Sequence, residues 1–316
     1  MIMWTWIWIA IAITITITLT LTLTSRFLAR ANTLPPLPLT QKTIVITGGG
    51  GGLGGALATA LAAHNPHTLL ILDIDLPAAT ATATATASAF PSVVVEPHGV
   101  DVSSLESIDA FVSGLEFRGI EVDVVINNAG VVAGLPMSRS FGGAMQRTLN
   151  VNLGGPLLLI SRLWDHLARR GAQTQIVNVA STMGLVPAAG LVDYCGSKYG
   201  LVGAHEALFL ETRASGLSSS LGMTLVCPYK IGSGSSMFSG VRLTYEWLVP
   251  PLDASGLAEA IAAAIVSRTE FLVLPRIAGV LLPLVSLLPR RIAIALIEFF
   301  GGRHGMDTFC GTPTRQ

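Results

Sequence analysis

From about residue 40 onward, short β-branched runs alternate with longer stretches of helical periodicity. Runs at 43–47, 68–72 and 93–95 are followed by helical patterns at 53–63, 78–89 and 105–115, and further runs lie at 123–126, 175–179 and 225–228. Apolar runs this short, joined through amphipathic segments, predict parallel strands with crossover helices, hence a doubly wound parallel α/β sheet over residues 40–270. The Ala/Thr repeat at 78–89 carries structural weight only, because Ala favours a helix while Thr weakens it.

Both ends depart from this pattern. Ile2 to Thr24 holds no charge, and its 23 residues would form a helix of about 34 Å, enough for a hydrocarbon core of about 30 Å. The alternation ITITITLTLTLT suggests a strand in water, but a lone strand in lipid leaves its backbone unpaired, so a helix is predicted there. With Trp4, Trp6 and Trp8 at one end and Arg26 and Arg30 after the run, residues 1–25 are expected to be a membrane anchor whose C-terminal side faces the cytosol. A cleaved signal peptide is the weaker reading, since no basic segment precedes the run. Residues 26–39, with Pro35, Pro36 and Pro38, are expected to be an extended linker. Beyond 270 the chain turns apolar again, and Pro275, Pro283 and Pro289 cut it into pieces too short to span a bilayer. Residues 271–316 therefore read as a membrane-associating segment, with Arg290 and Arg291 at headgroup level, or as an apolar cap or dimer contact; both can hold.

Composition sharpens this picture. Hydrophobic residues make up 51% and charged residues 12% of the chain, and mean hydropathy is +0.62, so part of the apolar surplus is expected to meet lipid. Nineteen basic residues balance nineteen acidic ones, which leaves no basic field for nucleic acid. Cys195, Cys227 and Cys310 are odd in number and widely spaced, which argues for reduced thiols and against a zinc site. His64 and His67 lack a third ligand nearby and carry no metal expectation.

Chemistry enters at the end of the first run, where Ile44-Val45-Ile46 leads into Thr47-Gly48-Gly49-Gly50-Gly51-Gly52-Leu53-Gly54 and then a helix. A Gly-rich turn between a strand and a helix lets main-chain N–H groups meet a pyrophosphate. Asp73 ends the second strand about twenty residues on, where a carboxylate can accept hydrogen bonds from an adenosine ribose. Together they predict a Rossmann-type dinucleotide site. No Lys or Arg lies between Lys42 and Arg118, so nothing local pairs with a 2′-phosphate, and NAD is expected in preference to NADP. Asp75 reads as a turn or helix-cap residue.

The chain resembles the short-chain dehydrogenases/reductases. The matching pieces are TGGGGGLG at 47–54, Asp101-Val102, Asn127-Asn128-Ala129-Gly130, Asn152, Ser181, and Tyr194-Cys195-Gly196-Ser197-Lys198, in the family's order from about 40 to 240. A tyrosine with an ordinary pKa near 10 accepts a hydroxyl proton only beside a cation, and Tyr194 and Lys198 are i,i+4 neighbours on a helix. The resemblance implies that Tyr194 is the acid/base, that Lys198 lowers its pKa and binds the nicotinamide ribose, and that Ser181 holds the substrate oxygen. It gives Asn152 a water relay, Gly48, Gly52, Leu53 and Gly54 the pyrophosphate turn, Asp101 and Val102 the adenine, and Asn128 the adenosine-side floor. Asn127 reads as structural, and Ile231 and Ser233 take the positions near the carboxamide, although Pro228-Tyr229-Lys230 departs from the family's Pro-Gly.

AGLVDYCGSKYGLVGAHEAL and VCPY with a later MF are similar to the membrane-associated subgroup of retinol dehydrogenase 10-like, epidermal retinol dehydrogenase and 17β-hydroxysteroid dehydrogenase type 11/13-like proteins. That resemblance implies a lipophilic alcohol or ketone as substrate, an endoplasmic reticulum or lipid-droplet location, and helices that leave a homodimer open. An NADPH-dependent ketolipid reductase and a non-catalytic membrane scaffold are the alternatives; Asp73 weighs against the first and the Ser181/Tyr194/Lys198 set against the second. GSGSSMF at 232–238 carries two extra residues, and five consecutive glycines replace a more ordered turn.

Overall fold

The computed structural model describes residues 34–138, 142–170, 173–232, 237–238, 240–241, 246, 249–307 and 309. The expected anchor at 1–25 and Ser233 lie outside the described residues. Seven parallel strands form one sheet in the order β3-β2-β1-β4-β5-β6-β7. They are β1 (Thr43–Thr47), β2 (Thr68–Asp73), β3 (Val94–Gly99), β4 (Val124–Asn127), β5 (Thr174–Val179), β6 (Leu221–Pro228) and β7 (Phe271–Leu274). The helices between them are α1 (Gly52–Ala62), α2 (Leu76–Ala89), α3 (Leu105–Phe117), α4 (Gly143–Leu149), α5 (Gly155–Arg169), α6 (Val192–Ala214) and α7 (Ala254–Val266). After β7 come α8 (Arg276–Ser286) and α9 (Arg290–Phe299).

The sheet is doubly wound because every central strand is apolar on both faces. Ile44 and Ile46 of β1 point with Leu69 and Ile71 of β2 into a core closed by α1, α2 and α7. Val45, Leu70 and Leu72 point the other way, against α3, α5 and the Leu208–Phe209 part of α6. Fully burying a side chain of this size stabilises by about 1.5–3 kcal/mol, so the alternating register fixes which face each helix covers. Side-chain caps mark three helix starts: Asp75 accepts from Ala78 N at 3.0 Å, Ser104 from Ser107 N at 3.2 Å, and Asp253 from Gly256 N at 2.9 Å. The strand order reverses between β1 and β4, which opens a crevice at the carboxyl ends of those strands.

The structure departs from the sequence reading at two places outside the sheet. The expected linker is packed at its end: Leu37 and Leu39 are buried in the core, and Leu37 N donates to Val266 O at 2.8 Å. Pro36 and Pro38 stay exposed, so this stretch alternates in and out like a strand. Pro283, expected to end a piece, instead lies inside α8 with its ring exposed, and the helix continues to Ser286. No helix among the described residues is long and apolar enough to cross a membrane.

Candidate active site

The crevice is walled first by the turn after β1. Thr47 Oγ1 accepts from Asn128 N and Ala129 N, both at 3.0 Å, while Asn128 Nδ2 donates to Thr47 O at 3.0 Å and Gly48 O at 3.2 Å. Asn128, predicted at the adenosine-side floor, thus staples β4 to the Gly-rich turn. Gly48 has φ +63°, and a Cβ there would sit 2.8 Å from Ala129 Cα. Gly54 lies against the turn so closely that a Cβ would come within 2.0 Å of Gly48 O. Gly52, Leu53 and Gly54 open α1 toward the cavity, and the cap residue Gly51 makes no side-chain bond there. That leaves a helix N-terminus without side-chain obstruction, the arrangement a pyrophosphate requires.

Asp73, at the end of β2, accepts from Gly50 N at 2.8 Å through Oδ2 and from Asp75 N at 3.0 Å through Oδ1. The carboxylate is therefore fixed in place as well as present, and it lines the same cavity as Asp101 and Val102. Asp101 is held in its own turn by Ser103, whose N–H and hydroxyl both donate to Oδ1 at 2.9 and 2.6 Å. The glycine turn, the ordered Asp73 and the Asp101-Val102 wall fit a dinucleotide. Among the described residues no cluster of three metal-ligating side chains exists.

Ser181, Tyr194 and Lys198 meet at the other end of the cavity. Ser181 follows β5 and its Oγ accepts from Met183 N at 3.1 Å. Tyr194 and Lys198 stand one turn apart near the start of α6, with Lys198 Nζ 5.8 Å from the phenol ring centroid and donating to Val179 O at 2.9 Å. All three are buried. Burial drives the Tyr194 phenol up to about 12, and a hydrogen bond from Ser181 pulls the other way. Burial also draws the Lys198 ammonium down to about 8. The sequence reading has the lysine lowering the tyrosine; here desolvation dominates both groups, because neither side chain reaches bulk water. A protonated phenol with a hydroxyl beside it is a proton donor poised for a carbonyl oxygen.

Asn152 sits in a single π-helical turn, Asn150–Gly154, between α4 and α5. Its Oδ1 accepts from Val131 N at 2.8 Å, and its Nδ2 donates to Val131 O at 2.9 Å and Ser197 Oγ at 3.0 Å. Ser197 Oγ in turn donates to Tyr194 O at 2.7 Å. Both amide hydrogens of Asn152 are thus spent on scaffolding, which ties the loop after β4 to the helix that carries the tyrosine. Ile231 lines the cavity and pairs with Leu252.

Sequence reasoning missed one feature. Asn127 Nδ2 donates to Asn178 Oδ1 at 2.8 Å, and Asn178 Nδ2 meets His205 Nδ1 at 3.1 Å, so a buried polar chain links β4, β5 and α6. Asn127 and Asn178 are register partners, a pairing visible only once strand order is known. The C-terminal segment, expected as a membrane-associating piece or an apolar cap, lies against the Tyr194 end of the cavity. Ala189 N donates to Gly302 O at 2.8 Å, and Met306 and Phe309 pack with Phe238 around Tyr194. Phe238 meets the Tyr194 ring edge-on at 5.5 Å. The whole cavity measures about 1590 Å³ and runs from the Gly turn past Tyr194 to Leu282, Val285 and Ile297 of α8 and α9.

Known proteins resemble this chain in sequence and in fold. The short chain dehydrogenase family profile matches residues 42–240. Retinol dehydrogenase 10-A of Danio rerio is 32% identical over 212 residues, 66% of this chain and 61% of the relative. Retinol dehydrogenase 10 of Homo sapiens is 33% identical over 196 residues, 60% of this chain and 55% of the relative. The match thus spans about three-fifths of the length of these curated relatives. Among solved structures, a metagenomic short-chain oxidoreductase in complex with NADP aligns with TM-score 0.61 and 25% identity, covering 75% of this chain and 96% of that one. A short chain dehydrogenase/reductase from Burkholderia phymatum in complex with NAD shares the fold, with TM-score 0.67 and 24% identity over 85% of this chain and 98% of that one. With the profile covering the Gly turn, Asn152 and the Ser181, Tyr194 and Lys198 set, this chain belongs to the short-chain dehydrogenase family, oxidoreductases of alcohols and carbonyls.

Proposed function

We propose that this chain moves a hydride between NAD(H) and a lipophilic alcohol or carbonyl, such as a retinoid, a steroid or a long-chain lipid. The reading places it on the endoplasmic reticulum membrane or a lipid droplet, held by residues 1–25, with the catalytic domain in the cytosol. The observation that carries it is the Ser181, Tyr194 and Lys198 cluster at the junction of a glycine-lined cleft and an apolar cavity. At about 1590 Å³ the cavity exceeds the roughly 300–1,000 Å³ of an ordinary ligand site, which supports a dinucleotide together with an extended apolar molecule. The similarity to retinol dehydrogenases supports the substrate class.

Gly48, Gly52, Leu53 and Gly54 would hold the pyrophosphate, Asp73 the adenosine ribose, Asp101 and Val102 the adenine with Asn128 beneath, and Ile231 and Ser233 the carboxamide. When bound, the nicotinamide supplies the hydride acceptor or donor. Tyr194 Oη gives its proton to the carbonyl oxygen in reduction and takes the hydroxyl proton in oxidation. Ser181 Oγ donates to the same oxygen, and Lys198 Nζ holds the ribose and offsets the charge on a phenolate. Asn152 fixes the helix start that carries Tyr194, through Ser197. The cap formed by Met306, Phe309 and Phe238 excludes water from the reacting oxygen.

Asp73, Ile74 and Asp75 form the β2 end of the cavity without a cation, which supports NAD over NADP. Titration of detergent-solubilised protein with NADH and NADPH, followed by nicotinamide fluorescence, tests this. Tighter NADH binding that Asp73→Ala abolishes supports the ribose assignment. Tighter NADPH binding would favour a ketolipid reductase, and binding of neither would favour a scaffold.

A further inference from the structure

Helices α8 and α9 contain no buried residue, although they are strongly apolar. Their apolar side chains grade from the cavity to the surface, Ile277 and Leu281 lining the cavity while still 57% and 52% exposed. Ala278, Leu282, Val285, Leu296 and Ile297 line the cavity. Val280, Leu284, Leu287 and Ile292 do not line it and stand 62%, 51%, 80% and 51% exposed. Val280 and Leu284 of α8 and Leu287 at its C-terminal cap follow helical spacing, so they form one continuous stripe. Exposing such a stripe to water costs about 25 cal/mol per Å², and soluble monomers rarely carry an apolar patch of this kind without an occupant.

Charge indicates the occupant. Arg276, Arg290, Arg291 and Arg303 are all exposed in or just after the two helices, against two acids over the same stretch, Glu298 and Asp307, the latter paired with His304 at 2.9 Å. The chain as a whole is neutral, with nineteen basic and nineteen acidic residues, so this excess is local. Apolar side chains between arginine-bearing ends match the acyl and headgroup layers of an anionic lipid surface. At 11 and 10 residues the helices would each reach about 15 Å, half a hydrocarbon core, so they suit one leaflet.

We infer that α8 and α9 dock into one leaflet of an anionic phospholipid membrane and form the port through which the substrate passes from lipid into the active-site cavity. This rests on the lipophilic-substrate reading, for the same two helices face lipid outside and the cavity inside. A substrate partitioned in the leaflet then reaches Tyr194 without crossing water.

The test labels the full chain, in a Cys310→Ser background, with an environment-sensitive dye at Leu287→Cys and, as control, at Phe117→Cys, which is 94% exposed at the end of α3. Cys195 and Cys227 are buried. After reconstitution into phosphatidylcholine/phosphatidylserine vesicles, nitroxide lipids spin-labelled near the headgroup should quench the dye at 287 several-fold more than the dye at 117. Equal quenching at the two sites overturns the proposal, and so does shielding at 287 with no lipid quenching, the mark of a second copy covering the face. In parallel, Leu284→Glu with Leu287→Glu should raise KM about tenfold for a vesicle-borne long-chain alcohol and leave kcat/KM for a short water-soluble alcohol unchanged. An equal loss for both alcohols overturns the port. Absence of turnover for every alcohol would sink the activity reading while the quenching result still decides the docking.

Discussion

Lys198 offers a direct check on how the site is built, because replacing it with Met should separate stability from activity. Lys198 is buried, and its ammonium falls from the usual 10.5 to about 8. That drop corresponds to about 3 kcal/mol of cost for burying the charge. The folded state binds fewer protons at this site than the unfolded state between about pH 8 and 10.5, so stability rises with pH across that window and the cost is complete below it. Lys198→Met removes the cost and nearly conserves volume, but it forfeits the 2.9 Å bond from Nζ to Val179 O, worth about 1 kcal/mol. The variant should be more stable than the parent by about 2 kcal/mol at pH 7, or roughly 5 °C in Tm. The advantage should vanish and reverse by about pH 10. Urea denaturation at pH 7 and pH 10 measures the gap, and kcat of the variant should fall by about 10²–10⁴. A variant less stable than the parent at pH 7, or a gap that does not narrow with pH, would refute the reasoning.

Tyr194→Phe should lower kcat by about 10²–10⁴ for any alcohol the enzyme turns over, with dinucleotide affinity within about twofold by nicotinamide fluorescence. Gly54→Ala should abolish dinucleotide binding and cost more than about 2 kcal/mol in denaturant, since its Cβ would meet Gly48 O at 2.0 Å. His205, drawn down to about 4 by burial, stays neutral in the fold but charges near 6.5 when unfolded, so it contributes a stability loss as pH falls from 6.5 through 4. His205→Gln should flatten that acid limb by about 3 kcal/mol while keeping a partner for Asn178; unchanged acid unfolding would contradict this.

The sequence by itself determined the sheet's central strands, the Gly turn, Asp73, and the i,i+4 placement of Tyr194 and Lys198. Each depends on local periodicity or on spacing within a few turns of chain, which the backbone converts directly into geometry. Asp75 as a helix cap belongs to the same class. Tertiary structure alone decided what depends on partners distant in sequence. Leu37 and Leu39 look like linker until Val266 comes within reach, and Asn178 looks like any strand residue until β4 and β5 pair. Asn152 is legible as a motif residue, but its bonds to Val131 and Ser197 exist only once the loop after β4 meets the start of α6. The protonation of the site follows the same rule. A neighbouring cation can be read from spacing, but desolvation depends on everything that covers a group, and here it drives the phenol up and the ammonium down because residues from β5 to the C-terminal cap enclose them.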